Sequence, residues 1–284
     1  MAQSILHGQR VKTEDGYVLL ISVRTMEGSF ALYPAWSKDG YDFDIAPSPL
    51  LSPMREGQWS IYEGMGVRDA RITPMDGTYY ITYDAIGVHG ECLALATTDD
   101  FQSALRLGIV AQPDNKAGAL FPRKIDNKYV RLERPQGGSI WINFSEDLVF
   151  WESGEVVMSP RAGYWDASRI AAATPPFEID QGWLFFYRGV KDTSAGPLSR
   201  IGAAILDKDN PRQLVARTNV PVLTPRMPYE RVGDEPNMVY SCGAILEDDG
   251  EIKLYYGAAD TCIAVGTTHL STVVDTCMDS DREY

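Results

Sequence analysis

The segment Gly64-Met-Gly-Val-Arg-Asp-Ala-Arg-Ile-Thr sets one carboxylate, Asp69, between two guanidinium groups, Arg68 and Arg71. A cation beside a carboxylate favours its ionised form. Asp69 therefore has two readings: a reactive or ligand-binding acid facing a polar site, or one half of an ion pair with Arg68 or Arg71. Alternation along a strand places Arg68 on the face opposite Asp69. Further cations stand in unexpected company. Arg134 and Arg188 interrupt strands that are otherwise hydrophobic and aromatic, Leu132-Glu-Arg-Pro and Trp183-Leu-Phe-Phe-Tyr-Arg. The chain carries 39 acidic and 26 basic residues, a net charge of -13. A cluster of cations against that background would mark a site for an anion.

These residues are carried by elements that repeat. Five times a strand led by an aromatic or aliphatic residue is followed by a second strand and a polar turn. The first strands are Tyr17-Val-Leu-Leu-Ile, Tyr79-Tyr-Ile-Thr-Tyr, Tyr129-Val-Arg-Leu, Trp183-Leu-Phe-Phe-Tyr and Ile252-Lys-Leu-Tyr-Tyr. The turns close at Trp36-Ser-Lys-Asp-Gly, Ala96-Thr-Thr-Asp-Asp, Asn143-Phe-Ser-Glu-Asp, Leu206-Asp-Lys-Asp-Asn and, more weakly, Gly266-Thr-Thr-His. A 284-residue chain divided among five such units gives a period of about 57 residues, the scale of propeller blades. The expected fold class is all-β, a five-bladed β-propeller. It would occupy residues 1–284 as a single domain, with a flexible acidic tail over 275–284. The function is then sought where the innermost strands converge on a central channel. Val67, Ile72 and the turn at Asp76-Gly77 make the Asp69 segment such a strand, leading into a hairpin.

Helical periodicity is sparse, and 25 glycines and 17 prolines punctuate short alternating segments. The stretches Ala46-Pro-Ser-Pro-Leu-Leu-Ser-Pro and Val220-Pro-Val-Leu-Thr-Pro-Arg-Met-Pro read as connections between blades. Cys92, Cys242, Cys262 and Cys277 lack metal-type spacing and read as buried or incidental thiols. His7, His89 and His269 fit no metal site. The acidic balance argues against nucleic acid or an anionic membrane as partner. No apolar leader or membrane-length apolar run is present, so the expected location is cytoplasmic.

The same segments carry a resemblance. Gly66-Val-Arg-Asp-Ala-Arg-Ile-Thr resembles the Gly-Val-Glu-Asp-Pro-Arg-Ile-Thr signature of glycoside hydrolase family 130, the β-mannoside phosphorylases. Leu93-Ala-Leu-Ala-Thr-Thr-Asp-Asp-Phe, Asn115-Lys-Ala-Gly-Ala-Leu-Phe-Pro, Leu132-Glu-Arg-Pro, Trp165-Asp-Ala-Ser-Arg-Ile, Gly182-Trp-Leu-Phe-Phe-Tyr-Arg-Gly-Val, Pro236-Asn-Met-Val and Leu254-Tyr-Tyr-Gly-Ala-Ala-Asp-Thr follow in family order. The match runs from about residue 14 to 270. The family fold is a five-bladed propeller, which agrees with the repeat count.

The resemblance implies an inverting phosphorolysis of short β-mannosides to α-mannose 1-phosphate, reversible, with inorganic phosphate as co-substrate and no metal or cofactor. An inverting phosphorylase needs a general acid but no second carboxylate, because phosphate is the nucleophile; it needs cations to hold the dianion in line. By resemblance Asp69 is the proton donor, acting through a sugar hydroxyl. Lys116, Arg134, Arg169 and Arg188 fall on the family's phosphate-binding positions. Arg24 is a candidate for sugar or phosphate contact and Glu133 for substrate contact; Asp84 and Asp260 are candidates for sugar contact with a loop or turn cap as the alternative, and Asp166 and Trp165 for the sugar site, with a core role equally open for Trp165. Glu230 and Asn237 read as loop residues at the channel rim.

Departures accompany the match. The signature Glu and Pro are Arg68 and Ala70, the acid after Asn115-Lys116 is Ala117, and the usual histidines before Arg134 and before Gly189 are Glu133 and Arg188. Glu133 would either neutralise part of the phosphate pocket or serve as a base for water. Two alternatives therefore stand beside the phosphorylase: an inverting β-mannosidase on the same fold, and a carbohydrate-binding propeller without catalysis. Linkage, acceptor sugar and oligomeric state, including a homo-oligomer, are open.

Overall fold

Short strands joined by tight turns make up most of the chain in the computed structural model, which describes residues 2–13 and 16–280. β1 (Ala2–Thr13), β2 (Gly16–Thr25), β3 (Phe30–Ser37) and the two-residue β4 (Asp44–Ile45) pair antiparallel in sequence order. A one-turn helix, α1 (Ser60–Glu63), precedes a second antiparallel run: β5 (Gly66–Met75), β6 (Thr78–Gly87), β7 (Gly90–Thr98) and β8 (Leu105–Ala111). A single parallel pairing, Phe30 with Gly66, joins the two runs into one eight-stranded sheet. Gly66 has φ 155°, and a Cβ there would lie 3.0 Å from the Phe30 nitrogen, so the junction requires glycine.

The third group is the four-stranded sheet of β9 (Asn115–Leu120), β10 (Tyr129–Pro135), β11 (Ile140–Ser145) and β12 (Glu155–Met158). The fourth contains β13 (Arg169–Ala172), β14 (Phe177–Ile179), β15 (Gly182–Thr193), β16 (Gly196–Leu206) and β17 (Leu214–Arg217). After α2 (Pro228–Arg231) the fifth comprises β18 (Val239–Leu246), β19 (Glu251–Ala258) and β20 (Cys262–His269), followed by α3 (Leu270–Asp279). The fold is all-β. The aromatic- and aliphatic-led segments of the sequence form β2, β6, β10, β15 and β19, which sit between neighbours in their groups. Both Pro-rich stretches run between groups, as connections should.

Strand interiors are buried on both faces. In β2 the six residues from Val18 to Val23 are all buried, as are Trp183 to Tyr187 in β15. A strand covered on both sides loses the alternation of a half-exposed sheet and reads as a continuous apolar run. Trp183, Phe185, Tyr187 and Trp165 from the fourth group pack with Phe121, Leu132 and Ile142 from the third. β1 lies against β18 and β19 as well as β2, so the first and last groups are neighbours.

The acidic end differs from its expectation. Leu270–Asp279 is a helix that buries Val273, Val274 and Cys277 in the core of the fourth and fifth groups. Its end is tied down where the Asn219 N–H donates to Ser280 Oγ (2.9 Å) and the Asn219 amide donates to the Ser280 carbonyl (2.7 Å). The apolar residues at 273, 274 and 277 follow helical spacing, and their burial outweighs the acidic Asp275 between them. Residues 281–284 lie outside the described residues. Cys92 and Cys277 are buried and Cys262 is half-buried; the reading of Cys242 falls outside the described side chains. Among the described residues no helix is long and apolar enough to cross a membrane.

Candidate active site

Asp69 owes its position to a break in β5. The register between β5 and β6 shifts between Arg68 and Arg71, and Asp69 sits in the left-handed region at φ 56°. Aspartate tolerates this region better than most residues. The Asp69 N–H donates to Ser22 Oγ on β2 (3.0 Å). The fully buried Arg71 donates to the Asp69 carbonyl (3.0 Å), to the Ala172 carbonyl (2.9 Å) and to the Tyr240 hydroxyl (2.9 Å). One guanidinium thus ties β5, β13 and β18 together. The Tyr240 hydroxyl in turn donates to Asp69 Oδ2 (3.2 Å).

The same bulge overturns the expected alternation. Arg68 and Asp69 both line a cavity of about 270 Å³, together with Lys116, Ala117, Arg134, Arg169, Ala171, Arg188, Glu235, Met238, Tyr240 and Asp260. Lys116 and Arg134 face each other across the β9–β10 pair, and Arg188 stands opposite Ala171 across β13–β15. Five cations and three carboxylates therefore meet in one small space. Ala117 and Asp260, like Asp69, hold positive φ (59° and 52°), so three cavity residues from three groups project from local kinks.

Several of the cations are anchored by neighbouring side chains. Glu91, at the start of β7, bridges the Arg68 guanidinium and the Lys116 ammonium. Burial disfavours the Arg68 cation, but the carboxylates of Asp69, Glu91 and Asp84 more than offset this and hold it protonated beyond the usual arginine range. Arg68 also lies over the Phe30 ring, 5.4 Å from its centroid. Arg188 donates from Nε to Ser199 Oγ (2.7 Å) and lies 5.0 Å from the Tyr240 ring centroid. Burial pushes the Arg188 pKa down, Arg134 and Arg169 push it further, and Tyr240 and Asp69 oppose them. An arginine crowded by other cations gains when an anion enters. Arg169 is half-exposed, with Asp192 at 3.4 Å.

The structure brings Asp69, Lys116, Arg134, Arg169, Arg188 and Asp260 together. It does not bring Arg24, Asp84, Asp166 or Glu133 to the lining of this cavity. Asp84 lies fully buried beneath it, where Oδ1 accepts from the Ala117 N–H (3.1 Å). Burial, reinforced by the Asp69 and Glu91 carboxylates against Arg71 and Arg68, raises the Asp84 pKa to about 7. Asp166 is buried under the fourth group, held by Arg161 (2.9 Å) and the Tyr187 hydroxyl (2.9 Å). Its neighbour Trp165 stacks on Tyr187 (5.4 Å between centroids) as part of the core. Glu133 lies on the far side of β10 from Arg134, paired with the buried Arg131 rather than with the cations of the cavity. Arg24 sits 6.0 Å from the Phe30 centroid, on the ring that also carries Arg68. Glu230 is buried, accepting from the Arg226 and Met227 N–H groups and the Tyr256 hydroxyl, so it is a helix-terminus residue rather than a rim residue. The Asn237 carbonyl accepts from the Ser199 N–H (3.1 Å).

The family model of beta-1,4-mannooligosaccharide phosphorylases matches residues 19–279. The chain belongs to glycoside hydrolase family 130. It is 35% identical over 242 residues to a 1,2-beta-oligomannan phosphorylase of Thermoanaerobacter sp. (strain X514), covering 84% of this chain and 78% of that one. It is 34% identical over 257 residues to the beta-1,4-mannooligosaccharide phosphorylase of Ruminococcus albus, covering 86% and 75%. Among solved structures, the beta-1,2-mannobiose phosphorylase from Listeria innocua in complex with beta-1,2-mannobiose superposes with a TM-score of 0.88 at 28% identity, covering 97% of this chain and 92% of that one.

As a family 130 member the chain rearranges its charges without emptying the cavity. Where the signature has Glu and the Asn-Lys motif is followed by an acid, Arg68 and Ala117 stand here. Glu91 supplies the carboxylate that holds Arg68 and Lys116. Neither Glu91 nor Tyr240 was legible as a site residue. Glu91 lies one residue past a turn, and Tyr240 stands in a strand whose aromatics read as core.

Proposed function

We propose that this family 130 chain is an inverting β-mannoside phosphorylase built as a five-bladed β-propeller, each of the five strand groups forming one blade. Its substrates are short β-mannosides or mannooligosaccharides and inorganic phosphate, and its product is α-mannose 1-phosphate. One observation carries this reading: a single cavity gathers Asp69 with Lys116, Arg134, Arg169 and Arg188.

The chemistry follows from that set. A phosphate dianion held by several guanidinium groups, with bidentate contacts where geometry allows, is placed to attack the anomeric carbon. The cations fix its direction and lower the cost of bringing a nucleophile into line. As the C1–O bond breaks, Asp69 supplies a proton that reaches the departing oxygen through a sugar hydroxyl. Phosphate oxygen bonds to C1 from the opposite face, which turns the β-glycoside into an α-phosphate. Tyr240 and Arg71 hold Asp69 in position from behind. No metal or organic cofactor enters this scheme.

A hydrolytic reaction would need a second carboxylate aimed at water. Glu133, the residue with the best claim from sequence, is engaged by Arg131 on the other side of β10. Glu235 and Asp260 remain in the cavity beside Asp69, but five cations outnumber these three carboxylates, a balance that favours a phosphate dianion as the nucleophile. The test is product stereochemistry. Proton NMR of a β-1,2- or β-1,4-mannobiose digest in phosphate buffer should show α-mannose 1-phosphate as the first product. Free mannose released from both sugar units, with no sugar phosphate, would overturn the proposal.

A further inference from the structure

On the other side of β9 and β10 from the reaction cavity, an open groove of about 600 Å³ runs between the end of β8 and the third strand group. It uses the alternate residues of the same two strands: Asn115 and Glu133 line it, whereas their neighbours Lys116 and Arg134 line the reaction cavity. Asn143 on β11 and Trp151 complete its inner wall. Arg131 is 1% exposed, bonded to Glu133 and stacked 3.8 Å from the Trp151 ring centroid.

The wall is under-bonded. Among the described residues, Arg131 Nε and Nη1, Asn115 Oδ1 and Asn143 Oδ1 are buried and find no hydrogen-bonding partner. Buried polar atoms are nearly always paired, so four such atoms on three residues of one groove take their partners from what fills it, water or a polar ligand. Two of these atoms are donors and two are acceptors. An anion would satisfy only the nitrogens and a cation only the oxygens. The charges here are also already matched, Arg131 with Glu133 and Lys128 with Glu152, while Asp114 accepts from the Gln136 amide (3.3 Å). No cation is left over for an anionic group. A hydroxyl both donates and accepts, and a sugar ring carries several in fixed directions. At the mouth Phe150 is 79% exposed, an aromatic surface suited to the apolar face of a pyranose.

We propose that this space is a second saccharide site, taking a neutral, unphosphorylated sugar unit back to back with the reaction cavity. It rests on the phosphorylase reading only for the choice of one probe. Binding here adds a hold on an oligosaccharide and takes no part in bond cleavage.

The test is calorimetric titration of the Asp69→Asn protein, without phosphate, against β-1,2-mannotriose, cellotriose and maltotriose in turn. At least one of these should give a binding event that Asn143→Ala and Phe150→Ala each weaken about tenfold, the scale of one buried hydrogen bond or stacking contact. Phe150 is exposed, so its substitution leaves folding intact even if Asn143→Ala does not. In the otherwise wild-type enzyme both substitutions should leave the KM for disaccharide within about twofold, because neither residue lines the reaction cavity. The proposal is overturned if none of the three saccharides gives an event sensitive to either substitution. Failure of the phosphorylase reading would show separately, as absent turnover in the wild type, while the second event is counted by heat alone.

Discussion

Tyr240 donates its phenolic proton to Asp69 Oδ2 across 3.2 Å while accepting from Arg71 Nη2 at 2.9 Å. Two strands far apart in sequence thus meet at the proposed acid, and the group that orients Asp69 is itself held by Arg71. Tyr240→Phe removes the hydroxyl but keeps the ring beneath Arg188, and Arg71 Nη2 keeps the Ala172 carbonyl as acceptor. The expected result is a fall in kcat of about tenfold with little change in the KM for phosphate. A thermal melt checks that the fold is retained. A phosphate KM that rises as much as kcat falls would place Tyr240 with the anion rather than with Asp69.

Asp69→Asn keeps the shape of the side chain and removes its proton. Turnover should drop by at least about two orders of magnitude, the scale of general acid catalysis. Melting temperature should change little, because the backbone bonds to Ser22 and Arg71 do not involve the carboxylate. Near wild-type rates on a natural disaccharide would remove Asp69 from the mechanism.

The cations separate by their surroundings. Arg188 is anchored through Nε to Ser199 and crowded by Arg134 and Arg169. Arg134→Ala or Arg188→Ala should raise the KM for phosphate about tenfold or more and that for sugar far less. Arg188→Lys should not restore the wild-type value, since lysine offers neither the Nε bond nor a planar fork. Initial rates at varied phosphate and fixed mannobiose provide the measurement.

Asp84 gives a pH dependence with a definite sign. Its folded pKa, about 7, lies above the unfolded carboxylate value, so between roughly pH 4 and 7 the folded state binds the extra proton. Stability from this group is therefore greatest at the acid end of that window and is lost as pH rises through 7. Asp84→Asn mimics the protonated form and still accepts from the Ala117 N–H. The variant should be more stable than wild type at pH 8, by on the order of 2–4 kcal/mol, and the difference should shrink towards pH 5. Denaturant melts at both pH values test this; a difference that grows on acidification contradicts it.

Much of this was legible in the sequence because strand interiors and polar turns repeat on a fixed scale. The residues leading β2, β6, β10, β15 and β19 and the cations of the reaction cavity fall in recognisable segments. What escaped was geometry that depends on one residue's backbone. The positive φ of Asp69 rotates Arg68 onto the same wall, which no alternation pattern can express. Glu133 and Arg134 show the reverse case: regular alternation sends adjacent residues into different cavities, so the new carboxylate does not neutralise the old cation. Tyr240 and Glu91 act through contacts between groups more than twenty residues apart, to which local pattern is blind. The helix at Leu270–Asp279 was hidden by its acidic residues, although Val273, Val274 and Cys277 carry the helical spacing.

The most direct measurement is a paired incubation of the wild-type enzyme with mannobiose, in phosphate-free buffer and in the same buffer with phosphate restored, followed by phosphorus NMR and sugar chromatography. Cleavage should be absent without phosphate and resume with it, yielding α-mannose 1-phosphate in equal amount to the released sugar. Undiminished cleavage without phosphate, giving only free mannose, would contradict the assignment of the cationic cavity as the seat of the nucleophile.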